Sequence, residues 1–118
     1  MYDIKPKINE LLEGIVGEDN VSDSYPDNFN NLPHVSFYEQ DNKDVYKIKE
    51  ELYTEIEIQI DIWHNRSTGT LARQVSDAMK SIGLKRDFAR DIPDPSGIKH
   101  KSMRFKGKIN NRTKIMYQ

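Results

Sequence analysis

The chain is 118 residues long, with 36% hydrophobic and 31% charged residues, no cysteine and a formal net charge of −1. That length fits a single domain, 1–118, which buries roughly two-thirds of its unfolded surface, and the absence of cysteine excludes disulfides, thiolate catalysis and Cys-based zinc sites. No apolar run approaches the ~18 residues of a membrane span, and the opening "MYDIKPK" lacks the apolar core of a secretion signal, so the chain is expected to stay in the cytoplasm where it is made.

In chain order, Ile4, Ile8, Leu11, Leu12, Ile15 and Val16 form one apolar stripe at helical spacing and predict a helix over 3–16. Asp3 is its expected cap, Pro6 falls in the tolerant first turn, and Gly14 or Gly17 is its expected stop. Residues 17–33 are rich in Asn, Asp, Ser and Pro and read as a long loop, pinned by Tyr25, Phe29 and Leu32. Residues 34–40 read as a strand with Val35 and Phe37 inward, "DNKD" at 41–44 as a turn, and 45–52 as either a short strand or an excursion.

The stretch "EIEIQIDIW" alternates Ile56, Ile58, Ile60 and Ile62 with Glu55, Glu57, Gln59 and Asp61. That is the period-2 pattern of a half-buried strand, here 53–63, with Trp63 at the sheet's rim. Leu71, Val75, Ala78, Met79 and Ile82 predict a second helix over 67–82, capped by Ser67 or Thr68 and stopped by Gly83. Strands follow at 84–92, 99–109 and 113–117, separated by turns at 93–97 and 110–112. In 99–109, Met103, Phe105 and Ile109 share one face, and His100, Ser102, Arg104, Lys106 and Lys108 the other. Short connections imply antiparallel neighbours. The expected fold is α+β: one mostly antiparallel sheet of four to six strands, with two helices packed on one face.

Charge is unevenly placed. Residues 1–83 hold 8 Lys and Arg against 16 Asp and Glu, while residues 84–118 hold 10 against 3. Such a chain can pair its halves internally or present opposite charge on opposite sides, which suits head-to-tail association. The acidic file at 55–61 reads as the solvated face of a strand, matched by the basic file of 99–109 through cross-strand pairs. A rival reading takes Pro26-Asp27 with Glu57-Ile-Gln59 as a loose version of the carboxylate pattern of metal-dependent nucleases. There Gln59 stands where lysine is usual. His34, His64 and His100 have no metal-ligand spacing and read as ordinary, partly exposed histidines. "RSTGT" is neither a nucleophile elbow nor a phosphate loop. The Lys- and Arg-rich end also admits a DNA-binding regulator, or a weak contact with DNA passing through a channel. No catalytic residue, cofactor or metal is expected.

"YPDNFNNLPHVSFYEQDN" (25–42), "EIEIQIDIWHNRST" (55–68), "GLKRDFARDIPD" (83–94) and "HKSMRFKGKIN" (100–110) together resemble the tail-completion, or tail-terminator, proteins of long-tailed bacteriophages and prophages. The resemblance covers nearly all of the chain after the first helix. Its marks are N-x-L-P-x-V-S-F-Y-E, Q-I-D-I-W, G-L-K-R and K-x-M-R-F. It implies a non-enzymatic α+β ring subunit, usually hexameric, which ends the tail tube and docks the head connector or stopper protein. The expected location is the head-tail junction of a virion, with assembly in the host cytoplasm. A neighbouring head-completion protein is the alternative. Tyr25, Phe29, Trp63, His64, Arg66, Arg104, Lys106 and Lys108 are the candidate subunit and partner contacts.

Overall fold

In the computed structural model, residues 3–23, 32–47, 50–93, 95–110 and 116–117 are described. The elements are α1 (Lys5–Val16), a 3-10 turn (Glu18–Asn20), β1 (Val21–Ser22), β2 (His34–Lys47), β3 (Glu50–His64), α2 (Gly69–Ser81), β4 (Lys85–Ile92), β5 (Lys99–Asn110) and β6 (Met116–Tyr117). The sheet runs β1-β2-β3-β5-β4, with β6 also on β5. All pairings are antiparallel except β1 with β2. The fold is the α+β arrangement expected from the sequence.

The alternation in β3 decides which face of the sheet is dry. Ile58, Ile60 and Ile62 are wholly buried and Ile56 almost so, joined by Val35 and Phe37 of β2 and by Met103, Phe105 and Ile109 of β5. Ile4 at the cap of α1, Ile8 and Leu12 of α1, and Leu71, Val75 and Met79 of α2 complete the same cluster. Each such side chain contributes about 1.5–3 kcal/mol on burial. The helices touch each other, α1 lying toward β1 and β2 and α2 toward β4. They therefore sit side by side across the sheet. At 12 and 13 residues they reach about 18–20 Å, whereas β2 and β3, at 14 and 15 residues, run about 46–50 Å. The long strands set the 52 Å axis of a molecule 24 Å across in its other directions.

The local chemistry at the helix ends differs in detail from the expected caps. The Lys5 N–H donates to Asp3 Oδ1 at 3.2 Å, while Ile4 occupies the cap position. Gly17, not Gly14, ends α1, its N–H donating to the Glu13 carbonyl at 2.8 Å. At the start of α2, the Gly69 N–H donates to Ser67 Oγ at 3.3 Å. Its end is a Schellman motif: Gly83, at φ 89°, donates to the Lys80 carbonyl, and Leu84 to the Met79 carbonyl, both at 3.0 Å. Met79 and Leu84 are both wholly buried, which supplies the apolar contact this motif uses.

Two expectations about segments change. The turn at 41–44 is not a turn. β2 runs on to Lys47 and stays paired with β3 as far as Lys47↔Glu50, with a register shift between Glu39 and Asp41. Asn42 Nδ2 donates to Glu39 Oε1 across that shift. The turn-favouring residues serve a bulge, which needs the same local backbone freedom as a turn. The 17–33 segment, read as loop, opens with the 3-10 turn and with β1, where Val21 pairs with Val35. Tyr25 and Phe29 lie outside the described residues.

Ile58→Ala deletes a wholly buried side chain from the central strand. It is expected to lower stability by about 2–5 kcal/mol in urea unfolding. A loss below about 1 kcal/mol would show that the isoleucine file does not anchor the fold.

Candidate interaction surface

The face of the sheet away from the helices carries the charged files. β3 contributes Glu55, Glu57, Gln59, Asp61 and Trp63, opposite Lys108, Lys106, Arg104, Ser102 and His100 of β5. The ion pairs do not follow these facing partners. Glu57 faces Lys106 but binds diagonally to Arg104 Nε at 3.2 Å. Lys106 turns the other way, to Asp87 of β4 at 3.5 Å. Asp61 faces Ser102 but bonds to His100 Nε2 at 2.9 Å. On the helix side of the sheet, by contrast, Lys101 pairs with Asp91, which faces it directly on β4, at 3.2 Å. Longer side chains reach a diagonal partner as easily as a direct one, and Arg104 gains a second contact by doing so. Its guanidinium lies 4.8 Å from the Phe88 ring centroid, with Arg90 at 4.7 Å on the same ring. Cation–π contacts of this kind favour arginine over lysine.

The acidic file pairs across the strands with the basic one, as the sequence suggested, but it is less solvated than the sequence suggested. Gln59 is only 5% exposed and bonds to Ser102 Oγ, itself 6% exposed. A strand paired on both sides is covered on its outer face by the long side chains of both neighbours. Glu57, the residue a nuclease reading needs, is bound to Arg104, and Gln59 is turned to Ser102. Asp27 lies outside the described residues. Among the described residues no cluster of three or more His, Asp and Glu is arranged to hold a metal.

Trp63 is 2% exposed rather than open at the rim. β3 continues to His64, which pairs with Lys99. The indole stacks on His100 at 4.6 Å and 18°, with the His34 ring tilted at 6.3 Å. His34 is not an ordinary exposed histidine: it is 9% exposed, and Ser22 Oγ lies 2.8 Å from its Nε2. Burial lowers its pKa below the usual 6.5. His64 and Arg66 lie together at the end of β3, where the Arg66 N–H donates to His64 Nδ1 at 3.3 Å. Arg66 is exposed. The structure thus brings Trp63 and His64 together with Arg66 at one end of the sheet, and sets Arg104, Lys106 and Lys108 along β5.

Lys106, Lys108, Lys85, Glu55 and Glu57 line a cleft of about 300 Å³ beside Gly107. β5 there passes from its pairing with Lys85 of β4 to its pairing with β6. Sequence reading did not single out Phe88, Lys85 or Asp87. The bulge between Arg86 and Phe88 swings Asp87 toward Lys106, and a uniform two-residue period gives no sign of it.

No protein-family model matches the chain, and no curated protein does. Solved structures do match in fold. One is a chain of a structure described as "Virion of native gene transfer agent (GTA) particle", with a TM-score of 0.59, 15% identity, and coverage of 86% of this chain and 85% of that one. The likeness is one of fold, and it runs almost end to end in both chains.

Two measurements check this surface. A double-mutant cycle on Glu57 and Arg104 is expected to give a coupling of about 0.5–1 kcal/mol, and one on Glu57 and Lys106 a value near zero; the reverse order would mean that ion pairing follows the backbone register. For His34 the lowered pKa means that the unfolded chain takes up its proton at higher pH than the folded one. The stability linked to it is present in full above about 6.5 and is lost progressively as the pH falls from there toward the lower folded-state pKa. Between about pH 7.5 and about pH 5, urea midpoints should fall more steeply for the natural chain than for His34→Gln. Parallel slopes would contradict the assignment.

Proposed function

We propose that this chain is a structural, non-enzymatic component of a phage-like particle, a ring subunit that ends the tail tube and joins it to the head connector or stopper. The observation that carries this reading is the nearly end-to-end likeness of fold to a chain of a gene transfer agent virion. The sequence resemblance to tail-completion proteins supports the same role by an independent route.

The arrangement of side chains suits a protein that meets surfaces. Glu57, Asp61 and Asp87 are tied to Arg104, His100 and Lys106, which leaves these carboxylates poorly placed to gather a metal or activate water. Arg66 and the cleft beside Lys106 and Lys108 are open for contact. In this reading Tyr25, Phe29, His64, Arg66, Arg104, Lys106 and Lys108 take part in subunit or partner contacts, and Trp63 acts through the His100 stack. The ring is hexameric in the resembling family, and the same copy number is proposed here. The Lys-rich strand gives weak, sequence-independent contact with passing DNA.

Deleting the gene from a strain that produces the particles tests the role. Electron microscopy should show filled heads and separate tails with few joined particles, restored by expressing the chain in trans. Normal numbers of joined, infective or transfer-competent particles without the protein would overturn it. Filled heads that lose DNA beside tails of normal length would instead favour a head-completion role.

A further inference from the structure

The sheet ends on one side at β1 and on the other at β4, and the two edges carry opposite charge. On the β1 side, the backbone from Gly17 to Asp23 bears Glu18, Asp19 and Asp23, all exposed, with no Lys or Arg among them. On the β4 side, Lys85, Arg86 and Arg90 are exposed. The two acids of β4 are already matched by the strand behind them, Asp87 to Lys106 and Asp91 to Lys101. The outer β4 edge is therefore left cationic. α2, which packs on that side, adds exposed Arg73 and Lys80 against Asp77.

The edges lie four interstrand spacings apart, about 19 Å. That is more than twice the ~8 Å screening length at physiological salt, so neither edge neutralises the other within one molecule. A second copy placed beside the first can do so. We propose that the two edges are complementary halves of a head-to-tail contact, the β1 edge of one copy against the β4 edge of the next. This rests on the ring-subunit reading and names the interface within it.

The geometry favours a heterologous over a two-fold contact. A two-fold dimer through either edge would set acids against acids or cations against cations, whereas head-to-tail apposition pairs them and, repeated, closes a ring or runs on. Plain strand addition is opposed at β4 by its charged side chains and by the bulge at Asp87. The contact is therefore made by side chains and weakens with salt.

Full-length protein and two triple variants test this by analytical ultracentrifugation at about 50 mM and about 1 M salt. The variants are Lys85→Glu/Arg86→Glu/Arg90→Glu and Glu18→Lys/Asp19→Lys/Asp23→Lys, with circular dichroism confirming the fold; all six residues are exposed. The natural chain should self-associate with concentration at low salt, at least about tenfold more weakly at high salt. Each variant alone should stay monomeric. A one-to-one mixture should assemble again, because one variant has two acidic edges and the other two basic ones. A milder Lys85→Gln/Arg86→Gln/Arg90→Gln variant should associate to an intermediate degree. Variants that assemble as the natural chain does, a mixture that stays monomeric, or a natural chain that stays monomeric at low salt would each overturn the proposal. A natural chain that complements the particle defect while its edge variants also do so would lose only the edge assignment, and the particle role would stand.

Discussion

A strand paired on both sides can carry a continuous aliphatic file on only one face unless helices cover both, and here a single helical layer covers one. Ile56, Ile58, Ile60 and Ile62 take that face. Everything else in the molecule follows from this choice. Because the side-chain period along a strand is two, committing the isoleucines to the core commits Glu55, Glu57, Gln59 and Asp61 to the opposite face. The register with β5 then lays Arg104, Lys106 and Lys108 beside them. Met79 and Leu84 carry the same core across the end of α2 and into β4, so the strand that borders the basic file is fixed by the helix that precedes it.

The electrostatics separate into a centre and two edges. At the centre, Glu57–Arg104 and Asp61–His100 are partly buried by their neighbours, while Lys106–Asp87 is an exposed pair toward β4. Partly exposed pairs of this kind contribute little to stability singly, but they hold long side chains in defined positions. At the edges, Glu18, Asp19 and Asp23 on one side and Lys85, Arg86 and Arg90 on the other are exposed. A charged residue that has a partner within its own fold has less left to offer another protein. In the proposed assembly the exposed edges therefore carry more of the contact between copies, and Arg104 and Lys106 of β5 less.

Much of the fold was legible because its signals are local and periodic: an apolar stripe at helical spacing from Ile4 through α1, four alternating isoleucines in β3, and a glycine after α2 where a left-handed residue is needed. The extension of β2 to Lys47 was not, since Asp41 and Asn42 signal backbone freedom without saying whether a turn or a bulge uses it. Side-chain partners across strands were also hidden. The sequence placed acids and bases on one face, but whether Glu57 reaches Lys106 or Arg104 depends on reach and on Phe88, which arrives from a third strand. Trp63, placed at the rim, and Gln59, placed on a solvated face, are both nearly covered, because burial by flanking side chains leaves no mark in the strand's own alternation.

The proposal that this protein is built into a larger particle draws on its fold likeness to a virion chain and on the opposed charges of its sheet edges. The most direct measurement is quantitative peptide mass spectrometry of purified particles from a producing strain. The account predicts this chain at a small, fixed ratio to the particle's other proteins, retained through density-gradient purification of joined particles. Its absence from such particles, or an amount that falls toward zero with each purification step, would contradict it.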